Sequence, residues 1–347
     1  MKHIGKSYDK VDAKGILSGK PSYTGDFVPK DALIIKVLRS PHAQAKIKSI
    51  DTSKAKLIPG VEAIFTYEDV PNTRFTLAGQ TYPEPSAYDA LILDPVVRYV
   101  GDEVALVVAK DEATALKAMP LIKVEYELQK PVLDLRTAMD HETVVHPEDD
   151  ILNHIPVGQD YKRNICVSYH KRVGDIEGEL AKCDYVVEGT YFDQATRQSA
   201  MEPFQSFGYI DHLGRIVIVS STQIVFHVRR HIARALGIPA SKIRVIKPRI
   251  GGGFGSKQTA CTELMTAFVT WKLQKPCYLL YDRTEAQTCS TTRHAREWYI
   301  RVGATKDGII QVIDMDSITD AGAHATHCFT TTTAGEHKSV PLYNKAK

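Results

Sequence analysis

Residues 248 to 258 read Pro-Arg-Ile-Gly-Gly-Gly-Phe-Gly-Ser-Lys-Gln, a run with four glycines in five consecutive positions. Glycine lacks Cβ, so such a segment turns through positive φ and lets a bulky anionic ligand approach main-chain N–H groups closely. On its N-terminal side, Lys242 to Lys247 is short and β-branched and reads as a strand. On its C-terminal side, Cys261, Leu264, Met265, Phe268 and Val269 recur at helical spacing, with Ser256 placed as an N-cap. The expected unit is strand, glycine loop, helix, with the helix adding its N-terminal N–H groups and positive dipole end.

Spacing separates the kinds of glycine loop. A P-loop requires Gly-Lys-Ser/Thr after four intervening residues, whereas Lys257 here follows Ser256 and precedes Gln258. A dinucleotide fingerprint starting at Gly251 and Gly253 would need glycine at 256, where serine stands. A simple sharp turn stays open, although Phe254 within the run needs a pocket or a ligand face to cover it.

The 347 residues allow two domains with sizeable cores. A net charge of +3, with both signs mixed throughout, gives no nucleic-acid footprint. The N-terminal stretch has no apolar leader-like region and no run reaches membrane-spanning length, so a cytoplasmic location is the default expectation. The cysteines Cys166, Cys183, Cys261, Cys277, Cys289 and Cys328 are scattered without a C-x-x-C pair, which argues against iron–sulfur clusters in this chain. His324 and His327 with Cys328, and His141 near His146, lack a second suitably spaced ligand pair and read as structural or surface residues.

Along the chain, 33–38, 61–65, 104–108 and 122–126 read as strands, with a helix capped by Asp111 between the last two. A polar, proline-containing stretch over 141–164 reads as a linker. Beyond it, 185–190, 207–210 and 215–220 read as strands, the last apolar on both faces and therefore central. A helix from about Gln223 to Leu236 is stopped by Gly237, and 298–302 and 309–313 are strands joined at Lys306-Asp307-Gly308.

The Gly-Gly-Gly-Phe-Gly-Ser-Lys-Gln run, preceded by Ser221-Thr222-Gln223, resembles the molybdenum-binding subunit of the xanthine dehydrogenase and aldehyde oxidase family. The resemblance covers most of the chain. It includes Gly5-Lys6-Ser7, Tyr23-Thr24-Gly25-Asp26, Ser40-Pro41-His42-Ala43, the segment from Val97 to Ala105, Met201-Glu202-Pro203 and Arg293-His294, all in the family's order. It implies an α+β fold: an N-terminal segment and α/β-hammerhead domain over 1–140, the linker 141–164, and over 165–347 the first part of a molybdopterin-binding domain, incomplete at its C-terminus. It also implies a molybdopterin-type molybdenum cofactor, with the cytosine dinucleotide form as one option, whose metal takes no ligand from the protein. By the same resemblance Gln223, Gly252, Gly253, Phe254 and Gly255 bind the cofactor, Gln223 through its amide NH₂ and the glycines through close backbone approach.

The implied reaction is hydroxylation of a purine or related N-heterocycle with water as oxygen source; an aldehyde, nicotinate or carbon monoxide dehydrogenase subunit of the same family is the alternative. Gln258 stands where xanthine-oxidising members use glutamate against the purine, so it is the expected substrate contact. Electrons would leave through an iron–sulfur subunit and an FAD subunit. Family members continue for about as long again, and that half carries the glutamate base, so no catalytic residue is expected before Lys347. The chain is then a fragment, a truncated product or half of a split subunit, not active alone; an inert fragment that binds no pterin is the rival reading.

Overall fold

The computed structural model describes residues 3–79 and 81–343. The first part contains α1 (Ala13–Leu17), β1 (Leu33–Arg39), β2 (Ala45–Asp51), β3 (Val61–Phe65), β4 (Val96–Val97), β5 (Glu103–Ala109), α2 (Glu112–Ala118) and β6 (Lys123–Leu128). After an irregular stretch come α3 (Ile176–Leu180), β7 (Tyr185–Asp193), β8 (Gln205–Ile210), β9 (Ile216–Ser220), α4 (Val225–Leu236) and β10 (Ile243–Ile246). The remainder is α5 (Glu263–Leu273), β11 (Cys277–Leu280), α6 (Arg283–Thr288), β12 (Arg296–Ala304), β13 (Ile310–Thr319) and α7 (Cys328–Ser339).

One seven-stranded sheet, in the order β10-β9-β8-β11-β1-β5-β3, runs through both halves of the chain. The joint is the parallel pairing of β1 with β11, which sets Leu33 opposite Cys277 and Ile35 opposite Leu279. The other strands form two three-stranded sheets, β13-β12-β7 and β4-β2-β6. Alternation along β5 explains its central place: Leu106 and Val108 join the large core with Ile35, Ile218, Ile232, Phe268 and Leu279, whereas Ala105 and Val107 pack with Ala115 and Ala118 of α2. β9 is buried at every residue, as an apolar strand inside a sheet should be.

Local signals act as the sequence suggests in two places. Asp111 accepts a hydrogen bond from the Thr114 N–H at 2.8 Å and starts α2. Gly237, at φ 64°, closes α4 in the left-handed conformation. α4 begins at Val225 rather than at Gln223, which stays in the preceding turn.

The segment after the glycine run departs from expectation. Ser256 does not cap a helix through its side chain; its hydroxyl instead donates to the Gly253 carbonyl at 2.7 Å, and only a 3₁₀ turn over Ser256–Gln258 follows. Thr259 is extended, and α5 starts afresh at Glu263 behind Thr262. Seven residues, 256–262, therefore separate the last loop glycine from that helix, so the loop's own amides, and no helix dipole, define its polarity.

Candidate cofactor site

The glycine loop is held at both ends. At the first, the Glu202 carboxylate accepts from the Gly251 N–H at 2.6 Å, while the Glu202 N–H donates to the Gly251 carbonyl at 3.0 Å. The same carboxylate faces the buried Lys257 ammonium at 3.0 Å and accepts from the Gln205 amide at 2.7 Å. Burial pulls the Lys257 ammonium below its ordinary range, against the attraction of Glu202. At the other end, Gln223 Oε1 accepts from the Gly255 N–H at 3.1 Å, and the Gln223 N–H donates to the Lys257 carbonyl at 2.9 Å. The sequence carries Glu202 in its Met-Glu-Pro triplet, but nothing there identifies Lys257 and Gly251 as its partners.

Between these anchors the amides of Gly252, Gly253 and Phe254 reach no acceptor among the described residues. Gly252, Phe254 and Gly255 have φ of 105°, 52° and 92°, and the Phe254 ring is 75% exposed. The ring therefore does not plug the loop. A Cβ on Gly253 would lie 2.5 Å from Gln223 Oε1, so close approach of the two segments requires glycine there. With Oε1 engaged, the exposed Gln223 amide retains its NH₂ as a donor.

Beside the loop opens a cavity of about 480 Å³, whose walls include Phe254, Gly255, Gln258, His294, Arg296 and His327. Gln223, Gly252 and Gly253 lie outside those walls, on the loop's flank. Arg197, Arg293 and Arg296 against Asp193 give the walls an excess of positive charge. Arg296 is fixed by donation to the carbonyls of Thr331 at 2.9 Å and Thr332 at 3.1 Å, with its guanidinium 4.5 Å over the Trp298 ring. His327 accepts from the Gly79 N–H through Nε2 at 2.9 Å, with Nδ1 3.4 Å from the Thr259 hydroxyl. Burial holds this imidazole down to about 4, so it is neutral at pH 7. Open amides, a side-chain amide donor and cationic walls suit a large anionic cofactor that asks the protein for hydrogen bonds rather than metal ligands.

Two family descriptions match the chain in the order of its two parts. Residues 18–130 match the a/b hammerhead domain of aldehyde oxidase and xanthine dehydrogenase, and residues 157–346 match the molybdopterin cofactor-binding domain. The chain belongs to the aldehyde oxidase and xanthine dehydrogenase family of molybdenum hydroxylases, and its α+β fold is a hammerhead domain followed by a molybdopterin-binding domain.

Among its relatives, a probable hypoxanthine oxidase of Escherichia coli is 38% identical across 98% of this chain, which spans 38% of that protein. The nicotinate dehydrogenase large molybdopterin subunit of Eubacterium barkeri is 31% identical across 93% of the chain and is itself covered over 72%. The solved aldehyde oxidoreductase from Desulfovibrio gigas superposes with a TM-score of 0.80 at 25% identity, covering 91% of this chain and 34% of that one. The chain thus spans well under half the length of the first relatives it matches. Among the described residues no helix is long and apolar enough to cross a membrane.

Proposed function

We propose that this chain is the cofactor-binding part of a xanthine dehydrogenase-like hydroxylase acting on a purine or related N-heterocycle. The observation that carries the reading is the loop from Gly252 to Phe254, whose three amides are open while its two ends are fixed. When bound, a molybdopterin-type cofactor supplies oxidative hydroxylation with water as oxygen source. The amides of Gly252, Gly253 and Phe254, together with the Gln223 NH₂, would hold that cofactor by donating hydrogen bonds to its anionic groups. Gln258 lines the cavity wall, and its amide is the proposed contact to the heterocycle. The cationic walls would suit the phosphate of the pterin, in its simple or cytosine dinucleotide form. The reading includes separate iron–sulfur and FAD subunits as the route for electrons, and a catalytic base from the remainder of the large subunit.

The test uses the assembled enzyme that contains this chain, offered hypoxanthine, xanthine, nicotinate, an aldehyde and carbon monoxide in isotope-labelled water. Labelled oxygen in a purine product, together with pterin and molybdenum recovered from the protein, is the expected result. Turnover of the aldehyde or carbon monoxide alone overturns the substrate class, and a folded assembly without pterin overturns the cofactor role.

A further inference from the structure

Away from the glycine loop, four buried polar atoms with no hydrogen-bond partner among the described residues gather in one place: Asp89 Oδ1, His146 Nδ1, His324 Nδ1 and Glu148 Oε2. Native proteins seldom leave such atoms unpaired, so a cluster of them needs a physical account. The residues come from three irregular segments: the loop before β4, the stretch between β6 and α3, and the approach to α7. Asp89 is 2% exposed and His146 8%. Asp89 Oδ2 is satisfied by the Ala325 N–H at 2.7 Å, but Oδ1 is not, and among the described residues no arginine pairs with this carboxylate. Arg74 and Arg98 are turned to Asp94, Glu148 and Asp150 instead.

The separations point to a shared ion. His324 Nδ1 lies 3.6 Å from Asp89 Oδ1, and His146 Nε2 lies 3.9 Å from Asp89 Oδ2. These are too long for good hydrogen bonds. They are near the edge of a tetrahedron built on metal–ligand bonds of about 2.0–2.1 Å, which is about 3.4 Å. One ligand atom from each of the three residues lies within 4.8 Å of the others. His146 Nε2 at present hydrogen-bonds the Ala323 carbonyl at 2.6 Å. On taking an ion it would exchange that bond for the metal, and Nδ1 would then carry the proton on the side of Glu148 Oε2, 3.6 Å away, a gap that must close as the ring turns to the ion. A carboxylate behind a ligating histidine is how metal sites fix the ring.

A second group, Glu84 with His227 and His231, has similar spacing. There the Arg230 guanidinium already sits 3.2 Å from Glu84 and 2.7 Å from His227, so the cation is built in.

We infer that Asp89, His146 and His324 form a site for a first-row divalent transition metal, with zinc the best match to two imidazoles and one carboxylate and a water completing its four-coordinate shell. The ion ties the three segments together. His324 lies three residues before His327, and Cys328 beyond it meets Cys166 at 3.0 Å, so the site braces one end of the cavity wall. No proposed molybdenum-cofactor residue takes part, and the inference stands apart from that reading.

The test begins with the chain stripped by a chelator and titrated with Zn²⁺ and, separately, Co²⁺, with bound metal measured by mass spectrometry and the fold checked by circular dichroism. One ion per chain, a raised melting temperature with Zn²⁺ and visible ligand-field bands with Co²⁺ are expected. Asp89→Asn and His324→Gln should abolish uptake, and His227→Gln should leave it intact. A folded wild-type chain that takes up no ion overturns the site, as does uptake that survives His324→Gln or is lost in His227→Gln. Should the variants fail to fold, X-ray absorption on the cobalt-loaded wild type decides: two imidazole ligands support the site, and one or none overturns it.

Discussion

His327 should make the stability of this chain depend on pH in a window set by one imidazole. In the folded chain its Nε2 lone pair receives the Gly79 N–H at 2.9 Å, so that nitrogen cannot carry a proton without breaking the bond. Burial is the largest cause of its lowered affinity for a proton, followed by nearby His294, His227 and His231. The folded value, about 4, lies below the ordinary 6.5. The unfolded chain therefore takes up the proton first as the pH falls, and the folded state loses stability between 6.5 and about 4. Above that window the contribution is complete, and below it nothing further is lost. The gap corresponds to about 3 kcal/mol, a large share of ordinary domain stability. Urea unfolding of wild type and His327→Gln across this range, followed by tryptophan fluorescence, isolates the effect, because glutamine does not titrate. The wild-type advantage should shrink by about 3 kcal/mol between neutral pH and pH about 4. A difference between the two proteins that stays flat with pH would refute the reasoning.

Other perturbations follow from the same geometry. Glu202→Gln leaves Lys257 buried against an amide and should cost about 3–5 kcal/mol by chemical denaturation, most of it recovered by adding Lys257→Met. Gly253→Ala places a methyl 2.5 Å from Gln223 Oε1 and must displace that side chain. Pterin retention should weaken by roughly five-fold, one hydrogen bond's worth of about 1 kcal/mol, as read by cofactor content after dialysis, with the melting temperature of the protein nearly unmoved. Phe268→Ala, at the fully buried centre of the large core and edge-on to Phe65 at 5.1 Å, should destabilise by about 3–5 kcal/mol without altering metal or pterin stoichiometry in the folded fraction.

How far the sequence could be read depends on how local each cause is. Asp111 and Gly237 act on their own neighbours, and both fix their helix ends where the sequence places them. The apolar pattern of β9 likewise contains its own answer. The strand β11 has no such signal: Cys277–Leu280 is short, and its place beside β1 is set by a pairing with residues near the other end of the chain. That one pairing makes a single sheet of two sequence regions. The helical spacing after the glycine run is genuine in α5, but Ser256 spends its hydroxyl on Gly253 and the extended Thr259 interrupts the chain, so periodicity placed the helix start too early. At the candidate site the glycines and Phe254 are legible as a loop, whereas the nearness of Gln223 rests on the resemblance and appears physically only as its bond to Gly255.

The loop's chemistry follows from the division of labour among its residues. Glu202 consumes the first amide and Gln223 the last, and each does so through a side chain anchored elsewhere in the fold. Phe254 sits at φ 52°, a conformation that costs a non-glycine residue about 1–2 kcal/mol, and its exposed ring recovers little of that by packing. Strain held without a packing return is characteristic of backbone shaped for a ligand. Because both ends are already fixed by the protein, the three amides between them need little reorganisation to receive a guest, and binding energy is not spent on ordering the loop. In the proposed reading those three amides and the positively charged cavity beside them act together on one anionic guest, whereas a turn serving only to connect β10 with α5 would leave the same amides to water, and Gly253→Ala separates the two by its effect on pterin retention.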